Sequence, residues 1–119
     1  MINDNELPQI VEQEIPELSG KIFDNENCSI VHSTVNALRD HAHGKMEEEN
    51  FGAVKQCMAV AEKLYKKGNP AVKNAIENIY VYSFSSMLFH DIEKRKMLLS
   101  LIPLSLYTIY IHQMLHSHI

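Results

Sequence analysis

MEEENFGAVKQCMAVAEKLYKKGNP, residues 46–70, is the stretch that decides the fold class. Phe51, Val54, Met58, Ala61 and Tyr65 recur at helical spacing and share one stripe, which Cys57 and Leu64 widen. Lys55, Gln56, Glu62 and Lys63 lie opposite. Glu47, Glu48 and Glu49 at the front and Lys66 and Lys67 at the back match the helix macrodipole. The pattern predicts an amphipathic helix over residues 46–67. Gly68 stops it, and Asn69-Pro70 restarts the chain at once as N-cap and first helical residue.

Working outward, the next helix is predicted to run to about residue 89. Val72, Ala75, Ile76, Ile79, Ser83 and Ser86 form a narrow stripe, but residues 79–89 carry no charge. Val81, Phe84 and Leu88 point away from that stripe, so this helix is expected to be buried on more than one side. Asp91 caps a short helix over 92–100, and Pro103 opens a last one to about residue 117. Its inner stripe is Leu104, Tyr107, Thr108, Ile111 and Leu115; Leu106, Tyr110 and Met114 widen it. Upstream, residues 27–43 read as a helix capped by Asn27 and stopped by Gly44, with His41 and His43 in the last turn. Residues 2–24 read as two short helices broken at Ile15-Pro16. No run shows strand alternation with hairpin turns. The expectation is an all-α single domain over residues 1–119: an irregular bundle of about five or six helices. The Gly68-Asn69-Pro70 joint makes a HEAT- or armadillo-like helical hairpin, without the second copy that a repeat array needs.

Composition agrees with one ordinary domain: 119 residues, 45% hydrophobic and 22% charged. The formal net charge is −4, unevenly spread. Residues 1–27 carry −6 and the remainder +2. An acidic front lacks the clustered Lys and Arg that phosphate binding requires, so no nucleic-acid partner is expected. Residues 97–111 are uncharged and follow Lys94-Arg95-Lys96, but Ser100, Pro103 and Ser105 interrupt them and spanning takes about 20 apolar residues. A buried or dimer-forming helix is expected there, and no membrane insertion. The chain opens on an acidic, polar stretch without a signal peptide's apolar region. A cytoplasmic location follows as the expectation, with Cys28 and Cys57 as free thiols.

Chemistry-bearing motifs are few. His112 and His116 lie one helical turn apart and would share a face able to hold a metal. Position 113 is Gln, however, where a zinc protease needs Glu as general base, and the sequence supplies no further ligands. His41 and His43 point apart on a helix, and three consecutive glutamates splay around one. No G-x-S-x-G elbow, P-loop or G-x-G-x-x-G occurs. No catalytic residue and no cofactor is expected, and the chain reads as a non-enzyme.

Several short segments then gain meaning together. They are Ile15-Pro16-Glu17-Leu18, Phe51 ahead of its amphipathic helix and Gly68-Asn69-Pro70. Asn78-Ile-Tyr-Val-Tyr-Ser83-Phe and Leu101-Ile-Pro103-Leu-Ser-Leu106 complete the set. The pattern resembles a family of small, uncharacterised all-α bacterial proteins, over residues 16–106. Some members are similar to immunity proteins of toxin–immunity systems. Members often carry an acidic residue where this chain has Ser85-Ser86. The resemblance implies an all-α fold and a binding role, and no catalytic residues.

Three functional expectations follow. A protein-binding domain would steer a basic partner, by occlusion in the immunity case, with Glu12, Glu14 and Glu17 as the contact residues. A homodimer would use Leu106, Ile109, Tyr110 and Met114 of the last helix. A metal-binding protein would use His112 and His116.

Overall fold

Two asparagines frame the segment that decides the fold. The computed structural model describes residues 1–22, 29–85 and 92–117. Asn50 caps α3 (Phe51–Lys67), its side chain accepting from the Ala53 amide at 3.2 Å. Gly68 ends that helix by donating its N–H to the Leu64 carbonyl. Asn69 caps α4 (Pro70–Ala75), accepting from the Val72 amide at 3.0 Å. The start of the chain is stitched to this joint: the Ile2 amide donates to the Lys67 carbonyl and the Asn69 amide donates to the Ile2 carbonyl. Ile2 and Gly68 thus form a single parallel bridge.

Before α3, the boundaries differ from the sequence reading. The helix α2 spans Ile30–Glu47 and is capped by Ser29, whose hydroxyl accepts from the His32 amide. Asn27, the expected cap, lies outside the described residues. Gly44 does not stop this helix but lies within it. The stop is Glu49, in the left-handed region at φ 58°. The Asn50 amide reaches back to the Lys45 carbonyl and the Glu49 amide to that of Met46, the paired bonds of a Schellman motif. Glu47, Glu48 and Glu49 therefore sit at the negative end of α2, where the macrodipole disfavours them. Lysines answer two of them: Lys94 pairs with Glu47 at 2.8 Å and Lys45 with Glu48 at 3.1 Å. In the N-terminal segment the break at Ile15-Pro16 falls where expected, but the second of the two expected helices is a single 3-10 turn, and residues 23–24 lie outside the described residues. A 3-10 turn (Asp4–Glu6) leads into α1 (Leu7–Glu14), the chain breaks at Ile15, and a second 3-10 turn follows (Pro16–Leu18).

After α4 the helix does not continue as α. Residues Ile76–Val81 form a π turn, with helical residues resuming at Tyr82. The wider turn accommodates one extra residue, and it brings Ile76, Tyr80, Val81 and Phe84 all into the core. This is how an uncharged run gets buried on more than one side. The expected end near Phe89 and the Asp91 cap lie outside the described residues. Two helices close the chain, α5 (Ile92–Leu101) and α6 (Leu104–Ser117).

α2 packs along α3 and against the π turn. α1 lies on α2, α5 on α3, and α6 on the π turn. One core joins Leu7, Val11 and Ile15 to Val35, Leu38, Val54, Met58, Leu64, Tyr80, Leu98 and Leu106. The radius of gyration is 13.7 Å, close to the roughly 13.5 Å of a single folded domain of this length. The described residues contain six α-helices and no strand, an all-α bundle. No helix among them is long and apolar enough to cross a membrane.

Candidate functional site

A groove of about 1080 Å³ opens between α3, the π turn and α6. Each wall follows from a local pattern already described. Glu62, Tyr65 and Lys66 come from successive positions at the end of α3, where its polar face turns outward. Glu77 and Asn78 come from the π turn, which rolls its polar residues toward the groove while Ile76 and Tyr80 go inward. α6 contributes Ser105, Thr108, His112 and Gln113 along one side. Two large side chains stand at the lips, Tyr82 at 63% exposure and Leu104 at 79%.

The polar groups of the walls are tied to one another. The Tyr65 hydroxyl donates to Glu77 Oε1 at 3.1 Å. The Ser105 hydroxyl donates to Glu62 Oε2 at 2.8 Å, and Lys66 lies 3.7 Å from the same oxygen. Gln113 Nε2 donates to the Glu77 backbone carbonyl at 2.7 Å, pinning α6 to the π turn. Its Oε1 is buried with no hydrogen-bond partner among the described residues. Desolvation, then the bond to Glu77 and its charge, hold the Tyr65 hydroxyl above its usual pKa, so it remains a donor at neutral pH.

The residues singled out from sequence fall elsewhere or behave differently. Glu14 pairs with Lys63 at 2.9 Å, and its carbonyl accepts from Gln56. Glu17 lies 3.2 Å from His41 Nε2, and Glu12 is half-buried. Two of the three acidic residues thus fasten the N-terminal segment to α2 and α3, and none lines the groove. The expected dimer surface is largely interior: Leu106 is fully buried, Ile109 8% exposed and Tyr110 9%. Met114 is half-buried and accepts from the Tyr110 hydroxyl. The apolar residues that α6 does leave exposed are Leu104 and Leu115. The core-facing side of α6 is thus Leu106, Ile109 and Tyr110 and not the expected inner stripe, of which Leu104, Thr108 and Leu115 are exposed, because the groove lies beside that face of the helix.

His112 is exposed on the groove wall, and the His116 side chain lies outside what is described. Among the described residues no three His, Cys, Asp or Glu gather as a metal would need.

His41 and His43, expected in the last turn of their helix, lie before its end and are half-buried. His43 stacks on Phe84 with centroids 4.5 Å apart, and its Nε2 lies 3.0 Å from Ser83 Oγ. That distance suits a Ser–His nucleophilic pair, but the proton runs the wrong way. The Ser83 hydroxyl donates to the Tyr80 carbonyl at 2.6 Å, so it must accept from Nε2–H. Burial lowers the pKa of both imidazoles, outweighing Glu17 at His41. Cys57 is 1% exposed and burial raises its thiol to about 12, far from a reactive thiolate.

Sequence reasoning missed the groove because its residues come from three separated segments. A signal was present: Glu77-Asn78 interrupts the apolar run of the central helix just before it becomes uncharged.

No curated protein and no solved structure matches the chain. A family described as "Domain of unknown function (DUF7674)" matches residues 8–116, a span that takes in the six described helices, but for the first residue of α1 and the last of α6, and every residue of the groove. The chain belongs to that family.

Proposed function

We propose that the protein is a non-enzymatic, protein-binding domain whose partner seats a short segment in the groove between α3, the π turn and α6. The observation that carries this is the pairing of exposed lips, Tyr82 and Leu104, with a polar floor held rigid by internal hydrogen bonds. Exposed large apolar side chains over a preformed cavity favour a ligand with its own apolar groups, and a partly buried aromatic supplies contact area at small entropic cost. Under the resemblance noted above, the binding would take the immunity form, in which the partner is a toxin and the seated segment is held away from its target.

The test is a random-peptide display selection on the wild-type protein, followed by binding to Tyr82→Asp and Leu104→Asp variants. Both positions are exposed, so both variants should fold. The expected result is a consensus peptide whose binding falls at least about tenfold in each variant. Loss on reversal of Glu12, Glu14 and Glu17, with no loss in the groove variants, would place the contact on the acidic front and overturn the reading. So would selection without a consensus.

A further inference from the structure

We infer that the groove recognises the guanidinium of an arginine side chain in the seated segment, flanked there by an apolar residue. The inference rests on the binding role proposed above and specifies its ligand chemistry.

Three wall donors are committed within the protein, Tyr65 to Glu77, Ser105 to Glu62 and the Gln113 amide to the Glu77 carbonyl, whereas Asn78, Tyr82 and His112 make no such bond among the described residues. Lys66 leans on Glu62. The acceptors are not used up. Glu62 and Glu77 each engage one carboxylate oxygen, Oε2 and Oε1 respectively, and the other oxygen makes no bond to another described residue. Gln113 Oε1 is a buried acceptor with no partner among the described residues. A buried acceptor without a donor is an energetic deficit, and Gln113 is a residue that lines the groove. These open acceptors suit a ligand that donates.

Charge points the same way. Two carboxylates face one lysine ammonium within the groove. The acceptors stand on three different elements: α3, the π turn and α6. A compact ammonium reaches one or two of them. A planar guanidinium with five N–H groups in a fork can bridge several carboxylate and carboxamide oxygens at once. Tyr82 at the lip offers an aromatic face for the cation, and Leu104 across from it offers apolar area for the neighbouring residue.

The probe is the peptide acetyl-Ala-Leu-Arg-Leu-Ala-amide, compared with versions carrying Lys, or neutral citrulline, in place of the arginine. Binding is followed by ¹H–¹⁵N correlation spectra of the whole protein. The arginine peptide should shift resonances of the π turn and α6 and bind about tenfold more tightly than the citrulline peptide. It should also bind more tightly than the lysine peptide. Glu77→Gln, which retains an acceptor for Tyr65, and Glu62→Gln should each erase most of the arginine-over-citrulline preference, with dispersed spectra confirming the fold. Equal affinity for arginine and citrulline at the groove overturns the inference and leaves the groove as a binding site. Shifts confined to other surfaces, or no binding by any peptide, also overturn it. Failure of the display selection as well would remove the underlying reading.

Discussion

His43 donates from Nε2 to the Ser83 hydroxyl 3.0 Å away, joining the last part of α2 to the residue just beyond the π turn. The ring is half-buried and stacked on Phe84. Burial lowers its pKa, with Arg39 adding to the effect against Asp40 and Glu47. The folded state therefore prefers neutral imidazole more than the unfolded chain does. Stability from this group is full above the unfolded value and is lost as pH falls through the folded one. Protonation does not break the bond, because Nε2 carries hydrogen in both forms; the cost is charge in a covered site. The wild type should lose melting temperature between about pH 7 and about pH 5. His43→Gln, which keeps a donor but does not titrate, should lose less over the same interval. Parallel curves for the two proteins would show that His43 does not drive the acid response. His41 should contribute in the same direction, as its pKa is also lowered.

The ends of α2 and α3 make a second prediction. Glu49 occupies the left-handed C′ position of a Schellman motif, where a side chain costs about 1–2 kcal/mol relative to glycine. Glu49→Gly should therefore stabilise the protein by about 1 kcal/mol in urea unfolding. Gly44→Ala should stabilise by a similar amount, about 0.5–1 kcal/mol, because Gly44 is inside α2 with open space where a Cβ would go. Gly68 is the opposite case. An added Cβ there would lie 2.5 Å from the Leu64 carbonyl oxygen and 2.5 Å from Val72 Cγ1. Gly68→Ala should destabilise by roughly 1–3 kcal/mol, since the backbone of α3 and the first turn of α4 would have to part. A stabilising Gly68→Ala would show that the α3–α4 joint is looser than its contacts imply.

Cys57 should be silent to thiol reagents. It is 1% exposed on the inner face of α3, with its thiol held at about 12 by burial and by Glu17. Thiolate, the reactive form, is scarce at neutral pH there. Measured in a Cys28→Ser background, the native protein should leave Cys57 unmodified by a disulfide-exchange reagent at pH 8, and unfolding in guanidinium should release one reactive thiol. Rapid modification of the native protein would mean that α3 opens locally near Cys57.

The bundle itself was legible because its signals are local. The α3 stripe, the Gly68-Asn69-Pro70 joint and the break at Ile15-Pro16 each depend on residues within a turn or two, and each is found where expected. The errors share a cause in long-range packing. Gly44 and the three glutamates read as punctuation, yet the chain places its stop at Glu49, using lysines from α2 and α5 to offset the charge. The π turn has no motif of its own; it follows from a core that needs Ile76, Tyr80, Val81 and Phe84 on one side. His43 reads as a helix-end cation until Phe84 and Ser83, some forty residues on, are brought beside it. The groove is the extreme case, as its three walls are distant in sequence and its orphan acceptor, Gln113 Oε1, is defined by packing alone.

The last helix separates core from surface most sharply. Ile109 is 8% exposed and Leu104 is 79% exposed, five positions apart on α6. A glutamate at 109 would place a carboxylate in the apolar layer with Leu106 and Tyr110. Ile109→Glu should lose about 3 kcal/mol or more, or fail to fold, whatever the protein concentration. Leu104→Glu should stay within about 0.5 kcal/mol of the wild type, because its side chain already meets water. Urea unfolding and sedimentation velocity, each at several concentrations, check both outcomes. An interface between two copies centred on Ile109 would behave otherwise: the wild type would sediment as a dimer and Ile109→Glu as a well-folded monomer. That pattern would mean α6 swings away from the core to meet a second chain, and it would overturn the placement of Leu106, Ile109 and Tyr110 inside the protomer.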